Sequence, residues 1–166
     1  MIEIIAQTPS RGRSAGMLLV FLAMTLGRLV FGARITAISV GTWYQSLHKA
    51  WFTPPDRVFG PVWAALYIVM AVAAWRVWRH RGARGRNAAL LLFTLQLFLN
   101  LVWSYLFFGY QMIFLALVEL VILEIVIVAT GICFYRIDRW AGILFAPYVI
   151  WVAFAGLLNA AIYALN

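Results

Sequence analysis

Residues 112–135 read MIFLALVELVILEIVIVATGICFY. The run carries two carboxylates, Glu119 and Glu124, and no basic residue. About 20 apolar residues cross the hydrocarbon core of a bilayer, and a helix apolar on every face has no use for water. The run therefore reads as a membrane span. Working outward, Ala88–Gly109 precedes it and Trp140–Ala164 follows it with the same character, and Val58–Trp78 and Ser14–Thr36 complete a set of five. The whole chain agrees: of 166 residues, 66% are hydrophobic and 11% charged, with a mean hydropathy of +0.95. Globular domains are about a quarter charged, so a soluble domain is excluded. The expected fold is all-α, a five-transmembrane-helix bundle, with a tail over 1–13 and one domain over 14–166. Between the spans lie an aromatic loop at 37–57 and a basic loop at 79–87. Cleavage of the first span as a secretory signal is the alternative there, since Arg11 and Arg13 precede an apolar run. Arg28 inside the span, and its length, argue against that.

The net charge of +8 invites a nucleic-acid partner, but its placement speaks for a bilayer. Arg76, Arg79, Arg81, Arg84 and Arg86 cluster between the second and third spans, Arg136 and Arg139 between the fourth and fifth, and Arg11 and Arg13 before the first. If all five spans cross, these share one side, and the other side keeps only Arg34, Lys49 and Arg57. Retention of Lys and Arg on the cytoplasmic side explains the pattern without nucleic acid. The expected location is a bacterial cell membrane, with the N-terminus and the basic loop cytoplasmic. Contact of that loop with anionic lipid stays open as a second reading.

Polar groups inside spans are costly and hence informative. Gln96, Asn100 and Ser104 recur every four residues in the third span, one helical face with Trp103 beside it. The fifth span sets Tyr148, Trp151, Ala155 and Asn159 on one face, and the second sets Trp63, Tyr67 and Ala71 or Ala74 likewise. Such amides either glue helices together, at about 1 kcal/mol or less per contact, or line a site. Glu119 and Glu124, five residues apart, point to different faces. Each is either an ion or proton ligand or a protonated side chain bonded to a neighbouring helix, with Arg28 a candidate partner. No activated Ser, Cys–His pair or Gly-rich phosphate loop is visible. His48 and His80 lack a second ligand at metal spacing, and the single Cys133 can form no internal disulfide. Neither catalysis nor a metal is expected.

Residues 43–63, WYQSLHKAWFTPPDRVFGPVW, hold three tryptophans, three prolines and two phenylalanines. Solvated loops use Ser, Asn, Asp and Gly; rings that favour half-burial suit an apolar surface. With QLFLNLVWSYLFF at 96–108 and DRWAGILFAPYVIWVAFAGLLNAAIYALN at 138–166, this stretch makes the chain resemble the translocator protein family, the tryptophan-rich sensory proteins or peripheral-type benzodiazepine receptors. The resemblance covers nearly all of the chain after the first span. It implies a ligand pocket within the bundle, capped by the aromatic loop as a lid that Pro54 and Pro55 stiffen. It places Trp63, Tyr67, Asn100, Trp103, Trp151 and Ala155 on the pocket wall, with Tyr44, Trp51 and Pro54 closing it from the loop. It implies porphyrin or haem-type ligands, no obligatory cofactor, and a homodimer, for which Ala23 and Gly27 offer a small-xxx-small spacing.

One departure bears on the ligand. The sterol pattern of animal members needs a basic residue after a tyrosine near the C-terminus, and none follows Arg139. Looser matches at Val40, Tyr44 and Lys49, and in reverse at Arg57, Phe59 and Val62, carry little weight. Tetrapyrroles are therefore preferred to sterols. The expected function is that of a membrane receptor or sensor for porphyrins and related hydrophobic ligands. The alternative is a transporter of such solutes, coupled through Glu119 or Glu124, although no internal repeat supports one. Light-dependent porphyrin breakdown rests only on oxidisable tryptophans.

Overall fold

The computed structural model describes residues 10–166. Helix α1 spans Arg11–Ser39, a short α2 spans Trp43–Ser46, α3 spans Asp56–Arg79, and α4 spans Arg86–Ser104 and continues as a π turn over Tyr105–Gly109. Helix α5 spans Ile113–Ile137 and α6 spans Arg139–Leu165. Five of these, α1, α3, α4 with its π turn, α5 and α6, are long and apolar enough to cross a membrane. The chain is an integral membrane protein. Several boundaries differ from expectation: α3 already begins at Asp56, within the expected aromatic loop, and the basic loop narrows to 80–85. Arg11 and Arg13 belong to the first turn of α1 rather than to a tail, with Ser10 at its N-cap; residues 1–9 of that tail lie outside the described residues. The aromatic loop is shortened at its start by α1 and interrupted by α2.

The helices form a closed ring in the order α1, α3, α6, α5, α4, with α4 returning to α1. Small side chains let them approach: Ala71, Ala73 and Ala74 of α3 are fully buried. A Cβ on Gly142 of α6 would fall 2.6 Å from the Cα of Tyr135 on α5, so only glycine permits that crossing. Away from the lid, the core is a cluster of rings. Phe93 stacks on Phe134 at 5.9 Å and meets Phe145 and Phe21 edge-on.

At the basic end the connections are short and fastened by charge. The Asp138 carboxylate accepts from the Ala141 backbone N–H at 3.1 Å, capping α6. It also takes Arg76 of α3 at 2.9 Å and contacts His80 Nε2 at 3.1 Å. Burial alone would push its carboxyl up, but the hydrogen bonds from Arg76, His80 and Ala141 outweigh it and hold the group below its ordinary value. Trp75 Nε1 donates to the Ser14 carbonyl at 2.8 Å, bringing the start of α1 to the same end. The three basic segments thus meet at one end of the bundle, as the alternation of spans requires.

At the other end the lid is laced by amides. Gln45 Nε2 donates to Asp56 Oδ2 at 2.7 Å and to the Val40 carbonyl at 3.0 Å. Asn166 pairs with the backbone of His48 in both directions, its Oδ1 accepting from the N–H and its Nδ2 donating to the carbonyl, each at 3.0 Å. The lid is tied to the last turn of α6.

Candidate functional site

Beneath the lid, between α1, α3, α6 and the end of α4, lies a cavity of about 320 Å³. Helix α3 contributes Trp63 and Tyr67, stacked at 5.5 Å, and Phe59 nearer the mouth. Helix α4 and its π turn contribute Trp103, Phe107 and Phe108, with Trp103 stacked on Phe107 at 5.3 Å. From α6 come Ala155 and Asn159, from α1 Arg28, Gly32 and Thr36, and from the lid Tyr44. The wall is therefore aromatic, with few polar atoms.

The π turn makes that wall. Its backbone closes from residue i to i+5 rather than i+4, seen in the Tyr110 N–H donating to the Tyr105 carbonyl at 2.8 Å. Phe107 is buried and Phe108 half-buried as a result, and the Ser39 hydroxyl at the end of α1 donates to the Phe108 carbonyl at 2.7 Å. Tyr44 packs on both rings. Burial, with the Asp56 carboxylate second, pushes the Tyr44 phenol up to about 12; the lid sets a neutral ring at the mouth.

Polar groups organise the floor. Tyr67 OH donates to Asn100 Oδ1 at 2.8 Å, Asn100 Nδ2 donates to Tyr148 OH at 3.3 Å, and Tyr148 OH donates to Gln96 Oε1 at 2.8 Å. This relay joins α3, α4 and α6. Trp103 Nε1 donates to Asn159 Oδ1 at 3.2 Å, and Asn159 Nδ2 donates to the Ile113 carbonyl at 3.0 Å. Arg28 Nη2 donates to the Asn100 carbonyl at 2.6 Å and to Ser104 Oγ at 2.8 Å.

Of the residues expected at the pocket, the structure brings Tyr44, Trp63, Tyr67, Trp103 and Ala155 to one cavity. Asn100 is 1% exposed and stands behind the wall, consumed by the relay. Trp51 is 95% exposed, edge-on to Phe52 on the outside of the lid. Pro54 is half-buried in the lid and off the wall. Trp151 packs 5.8 Å from Phe59, which takes its place on the wall. The proposed pairing of Arg28 with a carboxylate is also absent: neither Glu119 oxygen has a hydrogen-bond partner among the described residues, nor has Glu124 Oε2. Arg28, Phe59, Phe107 and Phe108 were not expected at the site. Arg28 did stand out as a charge inside a span, whereas a π turn has no sequence signal.

The described residues hold no group of His, Cys, Asp and Glu suited to a metal ion. The arrangement is suited to holding a flat apolar molecule, with hydrogen-bonding groups at the floor and at the mouth.

The sequence profile of the TspO/MBR family matches residues 18–165. The chain is 39% identical over 135 residues to the tryptophan-rich protein TspO of Archaeoglobus fulgidus, covering 81% of this chain and 87% of that one. It is 38% identical over 124 residues to a tryptophan-rich sensory protein of Cereibacter sphaeroides, covering 75% and 77%. It is 36% identical over 147 residues to the human translocator protein, covering 87% and 86%. The profile runs from within α1 to the end of α6 and so touches all five transmembrane helices, and on that basis the chain belongs to the TspO/MBR family.

Proposed function

We propose that this protein is a membrane receptor of the sensory type whose ligands are porphyrins and related flat hydrophobic molecules, held within the helix bundle under the lid. The observation that carries the reading is that two stacked pairs, Trp63–Tyr67 and Trp103–Phe107, line one cavity. Ligand pockets run from about 300 to 1,000 Å³ and are mostly apolar; at about 320 Å³ this one is at the small end. A tetrapyrrole exceeds that space, so its entry displaces the lid, and lid position is a signal a partner can read. Titrating the purified protein with protoporphyrin while following tryptophan emission tests this. Saturable quenching is expected; its absence rejects porphyrins as ligands.

Transport is the second reading, and its support is the pair of membrane-embedded carboxylates with unpartnered oxygens. Neither lines the cavity, whereas a coupled carrier needs its ionisable group on the substrate route. The receptor reading is therefore preferred. Orientation and assembly belong to the same proposal. Cysteines placed at Arg84 and Lys49, in a Cys133→Ser background, are expected to label from opposite sides, cytoplasmic and outer respectively. A homodimer is expected, with the Gly27 face of α1 open to a partner helix. Mass measurement in a mild detergent that returns only monomer counts against it.

A further inference from the structure

The cavity contains a full positive charge that no carboxylate pairs with among the described residues, although Glu119 of α5 lies near enough to feel it. Arg28 lies within the membrane-spanning part of α1 and lines the cavity, yet the ion pairs among the described residues are those of Asp138 alone. Asp56, the carboxylate on the cavity wall, is at the mouth and engaged with Gln45. Glu119 and Glu124 are not on the wall. Arg28 is half-buried with its Nε fully so, and a guanidinium partly withdrawn from water gains from an anion that meets it.

The hydrogen-bonding pattern says which edge is spare. Both bonds leave from Nη2, to the Asn100 carbonyl and Ser104 Oγ. They fix the plane of the group, whose carbon also lies 5.8 Å from the Tyr67 ring centre. Nε is buried with no partner. Nη1 lies over Gly32, where an added Cβ would collide with it. Gly32 lines the cavity too, so the missing side chain leaves the Nη1 edge uncovered beside the aromatic wall.

We infer that Arg28 is an anion-recognising group, and that the cavity selects flat apolar ligands carrying a carboxylate. The apolar body lies against the ring pairs and the carboxylate meets the Nη1 edge, a charge-assisted bond in a site partly screened from water. This rests on the proposed receptor reading, whose ligand it narrows to acids. The floor relay contributes rigidity: Asn100 presents its carbonyl to Arg28 while its side chain is held by Tyr67 and Tyr148.

The test uses the full chain in detergent at about pH 8, where a carboxylic acid is ionised. Two probe pairs share a body and differ in charge: protoporphyrin with its dimethyl ester, and pyrenebutyrate with pyrenebutanol. Dissociation constants come from quenching of tryptophan emission. The acids are expected to bind about tenfold more tightly than their neutral partners, and Arg28→Gln is expected to erase that preference, the ratio of acid to neutral affinity falling to about one. Equal binding of acid and neutral probe by the wild type overturns the inference, as does a preference that survives in Arg28→Gln. If neither porphyrin binds but the pyrene pair keeps its Arg28-dependent preference, the porphyrin reading fails and the anion site stands. Should Arg28→Gln not fold, Gly32→Ala takes its place, since the added methyl crowds the guanidinium. Loss of acid binding in excess of neutral binding is then expected, and equal loss of both rejects the role of Arg28.

Discussion

The two ends of the bundle close their loops by opposite means. At the basic end one buried carboxylate, Asp138, caps α6 and gathers Arg76 and His80. At the lid end, amide bonds at exposed positions and ring edges hold a longer segment over a cavity. Charge at a helix end, partly screened from water, makes a stiff joint; exposed amide bonds exchange readily with water and contribute little net stability. The difference assigns mobility. The basic end is held by charge, and the lid end is the one expected to give way to the proposed ligand.

Breaking the stiff joint has the largest expected effect. Asp138→Ala removes a helix cap and an ion pair together and leaves Arg76 without its partner. A loss of about 2–4 kcal/mol is expected, read as a lower unfolding midpoint in detergent. The same joint predicts a pH dependence. Because the folded carboxyl is held below its ordinary value, its contribution is present above the unfolded value of about 4 and is lost as pH falls through the folded value. Wild type should lose stability with acid in that window and Asp138→Ala should lose less. Equal acid sensitivity in both would remove Asp138 from the account.

Next comes the cavity under the lid. Trp63→Ala is expected to weaken porphyrin binding by about 1–3 kcal/mol, roughly 5- to 150-fold, through lost burial and stacking. Trp51→Ala should leave the dissociation constant within about twofold, because a ring exposed to 95% gives up little contact. If Trp51→Ala weakens binding as much as Trp63→Ala does, the lid closes on the ligand in a different arrangement.

The smallest effect sharpens the contrast. Asn166→Ala removes the pair of bonds to His48, at a cost of about 1 kcal/mol or less to global stability. Its mark should be kinetic: porphyrin release faster by a few-fold while the unfolding midpoint barely moves. A large drop in stability would mean that the lid end is a structural joint like the other.

Much of this was legible in the sequence, for definite reasons. Five spans follow from hydropathy because a bilayer imposes its thickness on every helix. Gln96, Asn100 and Ser104 declared themselves because polar atoms in hydrocarbon must be used, and their four-residue spacing placed them on one inward face. Whether they met a ligand or one another was not legible, because a hydrogen bond to Tyr148 or to a solute leaves the same residue types in the chain. Trp51 and Trp151 misled for a related reason. A tryptophan suits a pocket, a helix interface and a bilayer surface alike, and only packing decides. Arg28 was visible as a charge out of place. Its preference for a carbonyl and a hydroxyl over Glu119 depends on which helices are neighbours in the ring, and that order is not written in any one span.

The π turn over Tyr105–Gly109 carries a last consequence. A π turn holds one residue more than the α turn it replaces, and an α-helix advances about 100° per residue. Deleting a single residue there would let α4 run on as a regular helix, repositioning the rings within the turn by up to about a quarter of the way round while the residues beyond it keep their register. Composition would hardly change, and the bundle above would keep its contacts. The cavity, however, would lose Phe107 and Phe108 from its wall. Pocket shape in this chain is encoded by residue number as much as by residue kind, so a one-residue difference in length can retune the ligand where many substitutions would not.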